Sequence, residues 1–206
     1  MTRNFAKTEV EAEKEVKGVE GANISPSNDV LSVGGRLMNF SSHWISSKWG
    51  HSVVSKGLGW KWIKTPPLFK RFYQPSTQVL EDYVQQMLQK GVIEPCRSLK
   101  FQGRLFSVPK KDSLELRTIL DLSPLNKFID CPTFKMTTVS QVRTLLPLGF
   151  FTSSIDLKDA YWHVPVSRTC RPFLGFALGR NQYRFKAMPF GLNIAPRVFT
   201  KLTAVI

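Results

Sequence analysis

The stretch Ser153–Val166, SSIDLKDAYWHVPV, constrains this chain more than any other. Alternation over Phe151–Asp156 has the period of a half-buried strand, with Phe151, Ser153 and Ile155 on one face and Thr152, Ser154 and Asp156 on the other. The pattern then breaks, and a second carboxylate, Asp159, is followed by two rings, Tyr161 and Trp162. A carboxylate at the tip of a rigid strand is a fixed place to hold a hard cation such as Mg²⁺. A turn directly after it exposes backbone N–H groups that suit phosphate, and a bulky ring beside them can select the shape of what binds. The same residues also read as an ordinary helix start, with Asp156 capping a helix over Leu157–Trp162.

Two further segments bear on that choice. FSVPKKDSLELRTILDL reads as a hairpin, with strands over 104–108 and 116–121 and a turn near Asp112-Ser113. It places Lys110, Lys111 and Arg117 around one loop, where cations can converge on a polyphosphate. MPFGLNIAP sets a Pro-Phe-Gly turn, with Phe190 and Gly191, just before a helix, where backbone can approach a substrate closely. Each segment alone is commonplace; the three in this order are specific.

The remaining signals give the fold class. Ser76 or Thr77 caps a helix whose stripe is Val79, Leu80, Tyr83, Val84, Met87 and Leu88, with Gly91 past its end. Val139, Val142, Leu145 and Leu146 mark another, stopped by Pro147 and Gly149, while Leu125–Pro132 reads as a connection. RPFLGFAL and NQYRFKAM form a hairpin around Gly179-Arg180, and a last helix tolerates Pro196 near its start. Helix, hairpin, helix, strand, hairpin, helix is an α+β order dominated by antiparallel pairing. Residues 30–75 form an extension leading into this body. There Trp44, Trp49, Val53 and Val54 suit one helix or two, and WKWIK suits a strand. Trp60, Trp62, Phe69, Phe72 and Tyr73 interleave with Lys61, Lys64, Lys70 and Arg71. That is either a stacking surface for single-stranded nucleic acid or, the favoured reading, core rings with their charges outside.

Charge is unevenly placed. The net charge is +14, yet residues 1–29 hold four Lys/Arg and six Asp/Glu, so Val30 onward carries 25 basic and nine acidic residues, a balance of +16. The acidic arm 1–29 is expected to be disordered, and the basic body suits a phosphate backbone. Cys96, Cys131 and Cys170 are an odd, scattered set, which argues for reduced thiols in an intracellular protein, cytoplasmic or nuclear. No secretory signal and no apolar run of transmembrane length is present, so no membrane partner is expected. His43, His51 and His163 have no metal-ligand spacing.

VPKKD…LRTILDLSPLN, SSIDLKDAYWHVPV and MPFGLNIAPRVFTK resemble the successive fingers and palm motifs of reverse transcriptases. With GGRLMNFSSHWISSKWG upstream and the IEP and TFKM segments, the likeness is to tyrosine-recombinase retrotransposons of the DIRS type, over roughly residues 33–206. The resemblance implies a right-hand polymerase fold, with a fingers hairpin above an antiparallel palm sheet and flanking helices. It implies Asp156 as the catalytic carboxylate on Mg²⁺, helped by the Leu157 carbonyl, and backbone at Asp159 and Ala160 around the phosphates of a dNTP. Tyr161 would lie under the sugar, Lys110 and Arg117 on the triphosphate, and Phe190 and Gly191 beside nucleotide and RNA/DNA template-primer. In that mechanism two Mg²⁺ ions activate the primer 3′-OH and stabilise the leaving pyrophosphate.

The family takes further carboxylates from a later aromatic-x-Asp-Asp hairpin. These residues contain no Asp-Asp pair, and Asp159 is the last acidic one. The expectation is therefore a reverse transcriptase fingers and truncated palm over 76–206, with weak or absent Mg²⁺ binding and no polymerase activity. A non-catalytic nucleic-acid-binding module is the alternative. An unpaired palm edge near Ile155 and Phe173 would favour self-association.

Overall fold

Two side-chain caps set the helices of the N-terminal half. Ser47 accepts the Gly50 N–H at the start of α1 (Lys48–Lys56), and Thr77 accepts the Leu80 N–H at the start of α2 (Gln78–Gln89). The computed structural model describes residues 32–67, 69, 71–109, 116–136, 138–145 and 156–204. The arm 1–29, Lys110 and the strand read over 151–155 lie outside the described residues. The stripe on α2 buries Leu80, Val84 and Met87. Gly91, at φ 63°, then turns the chain while its N–H and that of Val92 return to the Leu88 and Met87 carbonyls. This Schellman ending needs a residue that tolerates the left-handed region.

The strands are β1 (Ile93–Pro95), β2 (Gln102–Pro109), β3 (Leu116–Asp121), β4 (Gly175–Leu178) and β5 (Asn181–Phe185). They form a five-stranded sheet in the order β1-β5-β4-β2-β3. β2–β3 and β4–β5 are the two expected hairpins, the second closed by Gly179-Arg180 with Gly179 at φ 57°. The expectation of an antiparallel sheet is corrected at its centre, where β2 and β4 run parallel through Gln102↔Gly175 and Gly103↔Phe176. A long crossover separates them in sequence, and only such a connection permits parallel neighbours. β1 is pinned to β5 by Glu94, which pairs with Arg184 at 2.7 Å and Arg171 at 3.5 Å.

Short helices complete the body: α3 (Ser123–Asn126), where a plain connection was expected, α4 (Val139–Leu145) and α5 (Ala195–Thr203), with Pro196 in its first turn. The extension is part of the same core. Two 3₁₀ turns over Arg36–Trp44, kinked at Phe40, and α1 bury Trp44, Val53 and Val54. The Trp44 indole donates to the Leu202 carbonyl, and Lys201 lies 4.2 Å over the Trp49 ring, so α5 closes on this unit.

WKWIK is not a strand. It makes one bridge, Trp62↔Ile129, and Ile63 is 66% exposed, because the Trp60, Trp62 and Phe173 rings cluster and take the segment out of sheet register. Trp60, Trp62 and Phe69 pack against the core, as the favoured reading held, while Tyr73 alone of that ring series is largely exposed. Among the described residues no helix is long and apolar enough to cross a membrane.

Candidate nucleotide site

Backbone pairing brings two of the three motifs side by side. Pro165 bridges Ala187 antiparallel, and the Met188 N–H donates to the Val164 carbonyl at 2.9 Å. The residues flanking that pairing are the Asp159–His163 turn and Phe190-Gly191, so they meet. The Tyr161 and Phe190 rings lie 5.0 Å apart, Tyr161 and Phe199 5.5 Å, and Trp162 and Phe190 6.1 Å. Phe190 remains 46% exposed, leaving one ring of this group facing solvent.

The alternative reading of a helix over Leu157–Trp162 capped by Asp156 is not what forms: a 3₁₀ turn covers Ala160–His163, with Asp159 before it. Asp159 precedes it in the left-handed region at φ 56°, the one non-glycine residue there among those described. An aspartate tolerates this conformation better than most residues. The Trp162 N–H returns to the Asp159 carbonyl at 2.8 Å. The Asp159 carboxylate turns away to Lys90, 2.7 Å from its Nζ. Asp156 and Leu157 precede the turn as exposed, irregular chain.

The third motif arrives through β3 and α3. Gly191 sits at φ 91°, and a Cβ there would lie 2.9 Å from the Leu120 carbonyl oxygen. Only glycine allows this backbone to press against β3. Asn126, at the end of α3, donates to the Gly191 carbonyl at 2.8 Å and accepts the Asn193 N–H at 3.0 Å. Arg117 stands opposite Val108 in the β2–β3 ladder; its side chain, like Lys110, lies outside the described residues. The structure thus brings Asp159, Ala160, Tyr161, Phe190 and Gly191 together and sets Gly191 against the strand that carries Arg117.

Asn126, Phe199, Lys90 and the segment Ser32–Gly35 also belong to this corner; the sequence reading gave none of them a site role, although Gly34, Gly35, Asn126 and Phe199 lie within the motif text quoted above. The paired glycines of GGRL were the available signal. The Gly34 N–H and the Ser32 hydroxyl both donate to the Lys90 carbonyl, at 2.9 and 2.8 Å, and the Gly35 N–H donates to the Trp162 carbonyl at 2.8 Å. A methyl group at Gly34 would overlap the Gly91 carbonyl and stand 2.7 Å from the Val92 nitrogen, both rigid backbone. Gly34→Ala is therefore expected to cost about 1–3 kcal/mol in chemical denaturation. Gly59→Ala, where a Cβ would meet only Ser167 Oγ at 3.8 Å, serves as the near-neutral control.

Tyr83 also faces this corner. Burial, and secondarily the Asp159 charge, push its phenol up to about 12 from 10.0. Between those values the unfolded chain ionises while the folded chain does not, so stability falls as pH rises from 10 to 12. Absorbance titration of the four tyrosines should show a late component that Tyr83→Phe removes. Burial raises the Tyr161 phenol as well.

Among the described residues no three His, Cys, Asp or Glu side chains gather at a metal-binding distance. Asp156 is an exposed carboxylate with no described partner. Two adjacent divalent ions need several anionic ligands to offset their repulsion and dehydration.

No family model matches the chain. It is 26% identical over 147 residues to a retrovirus-related Pol polyprotein from transposon 412 of Drosophila melanogaster, covering 68% of this chain and 12% of the relative. It is 29% identical over 122 residues to the transposon Tf2-7 polyprotein of Schizosaccharomyces pombe, covering 59% of this chain and 9% of the relative. The chain thus spans about a tenth of the length of these curated relatives. Among solved structures it is similar to a foamy viral protease-reverse transcriptase in complex with double-stranded DNA, with a TM-score of 0.53 and 22% identity over 68% of this chain and 24% of that one. The native prototype foamy virus protease-reverse transcriptase gives a TM-score of 0.56 and 20% identity over 68% and 19%. The fold described above is accordingly that of part of a reverse transcriptase-like domain.

Proposed function

We propose that this chain is the fingers and part of the palm of a retrotransposon reverse transcriptase of the DIRS type, holding an RNA/DNA template-primer and a dNTP. The observation that supports this most is the meeting of the Asp159–Tyr161 turn with Phe190-Gly191, fastened to β3 through Leu120 and Asn126. In this reading the backbone at Asp159 and Ala160 receives the triphosphate, Tyr161 lies against the sugar, and Lys110 and Arg117 approach the phosphates from the hairpin. Asp156 and the Leu157 carbonyl are the part of the metal site these residues supply. One carboxylate is too few, so a polypeptide of these 206 residues alone does not transfer nucleotides.

Primer extension on a primed RNA, with Mg²⁺ and all four dNTPs, tests both halves of the reading. Template-primer binding without incorporation is expected. Incorporation abolished by Asp156→Asn would contradict the inactivity, and absence of template-primer and dNTP binding would contradict the reading as a whole.

A second reading, a non-catalytic nucleic-acid-binding module, is favoured by the basic body and by Tyr73 and Phe106, exposed at 73% and 40%. The two differ in one respect. A dNTP matched to the template base should tighten template-primer binding in the first reading and leave it unchanged in the second.

A further inference from the structure

A polyphosphate bound at the Asp159 backbone would meet the negative charge of the Asp159 side chain. The structure answers that conflict with Lys90. Its Nζ lies 2.7 Å from Asp159 Oδ2 and 5.1 Å from the centre of the Trp162 ring, so one cation contacts both ends of the Asp159–Trp162 turn. The two side chains are 34% and 21% exposed, partly shielded from the water that would otherwise screen the pair. Lys90 is itself restrained. Its carbonyl accepts from Ser32 and Gly34, and the next residue of that strap, Gly35, donates to the Trp162 carbonyl. The strap therefore ties the end of α2 to the turn by backbone, and Lys90 ties them a second time by charge. Tyr83, kept neutral by burial, adds no second anion.

We propose that Lys90 is a positioning residue for the nucleotide: it neutralises Asp159 and holds the Asp159–Tyr161 backbone in the shape that accepts a triphosphate. This rests on the reading of that turn as a nucleotide site. Lys90 touches no phosphate itself. Its effect passes through Asp159, which makes it separable from a direct ligand.

The experiment measures dATP binding, with Mg²⁺, to the purified 206-residue chain and to Lys90→Met, Lys90→Arg and the double variant Lys90→Met/Asp159→Asn. Amide hydrogen exchange is followed on each. Loss of the charge-assisted pair is expected to weaken dATP about tenfold in Lys90→Met. Lys90→Arg keeps the charge and should bind nearly as the unsubstituted chain does. The double variant should recover most of the loss, because no uncompensated carboxylate remains; a merely structural role predicts no recovery. The Trp162 amide should exchange faster in Lys90→Met while the β4–β5 hairpin is unchanged. Unaltered dATP affinity in Lys90→Met, no recovery in the double variant, or unaltered exchange at Trp162 would each overturn the proposal. Failure of the unsubstituted chain to bind dATP would instead overturn the nucleotide reading, and with it the proposal.

Discussion

Affinity for single-stranded RNA is expected to fall about a hundredfold when monovalent salt rises from roughly 50 to 200 mM. Lys61, Lys64, Lys100, Arg104 and Lys127 are exposed. Ring contacts hold three of them in place: Lys64 lies 5.4 Å over Phe128, Lys100 5.4 Å over Phe173 and Arg104 5.2 Å over Phe72. Two of these rings are themselves packed on other rings, Phe128 on Phe69, which also meets Phe101, and Phe173 on Trp62. Cations fixed by their own rings lose less side-chain freedom on meeting a phosphate than free lysines do. Five phosphate contacts to a single strand give a slope of about −3.5 in log affinity against log salt, and Lys64→Gln should lower it by about 0.7. Tyr73→Ala should weaken binding by about 1–3 kcal/mol without changing the slope, because stacking displaces no counterion. Filter binding at four salt concentrations reads both quantities. A flat salt dependence would remove the basic face from the account.

Phe176→Ala is expected to cost about 3–5 kcal/mol, enough to unfold much of a marginal domain. Phe176 is fully buried on β4 and pairs across to Gly103 at the parallel junction of the sheet. Its ring stacks on Tyr183 at 5.5 Å and meets Phe185 at 6.0 Å, so one side chain joins β4 and β5 where β2 is added. Gly103 leaves no side chain of its own to fill the space, since a Cβ there would crowd the Asp121 carbonyl at 2.7 Å. The cavity therefore cannot collapse from the β2 side. Phe176→Leu should recover part of the loss. Urea denaturation followed by tryptophan fluorescence measures both, and a cost below about 1 kcal/mol for the alanine variant would show that the junction is not packed as described.

Local signals in this sequence were legible wherever neighbouring residues decide the outcome. The α2 stripe, its Thr77 cap and its Gly91 ending are set within one helix, and both hairpins are set by their turns. The parallel β2–β4 pairing was not legible, because strand patterning fixes which face is buried and says nothing about a neighbour more than 70 residues away. WKWIK failed as a strand for a related reason: alternation was present, but ring packing among Trp60, Trp62 and Phe173 outweighed sheet pairing.

At the candidate site, sequence order pointed to Tyr161, Phe190 and Gly191, and these meet. The partners that hold them, Lys90 at 69 positions from Asp159 and Asn126 at 65 from Gly191, sit in unrelated elements and carry no local pattern. Asp159 in the left-handed region is the clearest departure from local preference. It is stabilised by long-range contacts that the surrounding ten residues do not contain, namely Lys90 by charge and the Gly35 bond to Trp162 by backbone.

The most direct test is photocrosslinking of 8-azido-dATP to the purified chain in the presence of template-primer, followed by peptide mapping. The account expects label on peptides containing Tyr161-Trp162 or Phe190, reduced by competing dATP and by Gly191→Val, which would push the turn off the Leu120 carbonyl. Label concentrated instead in the cleft between α2 and the β4–β5 turn, around Glu81 and Arg180, with none on those two peptides, would contradict it.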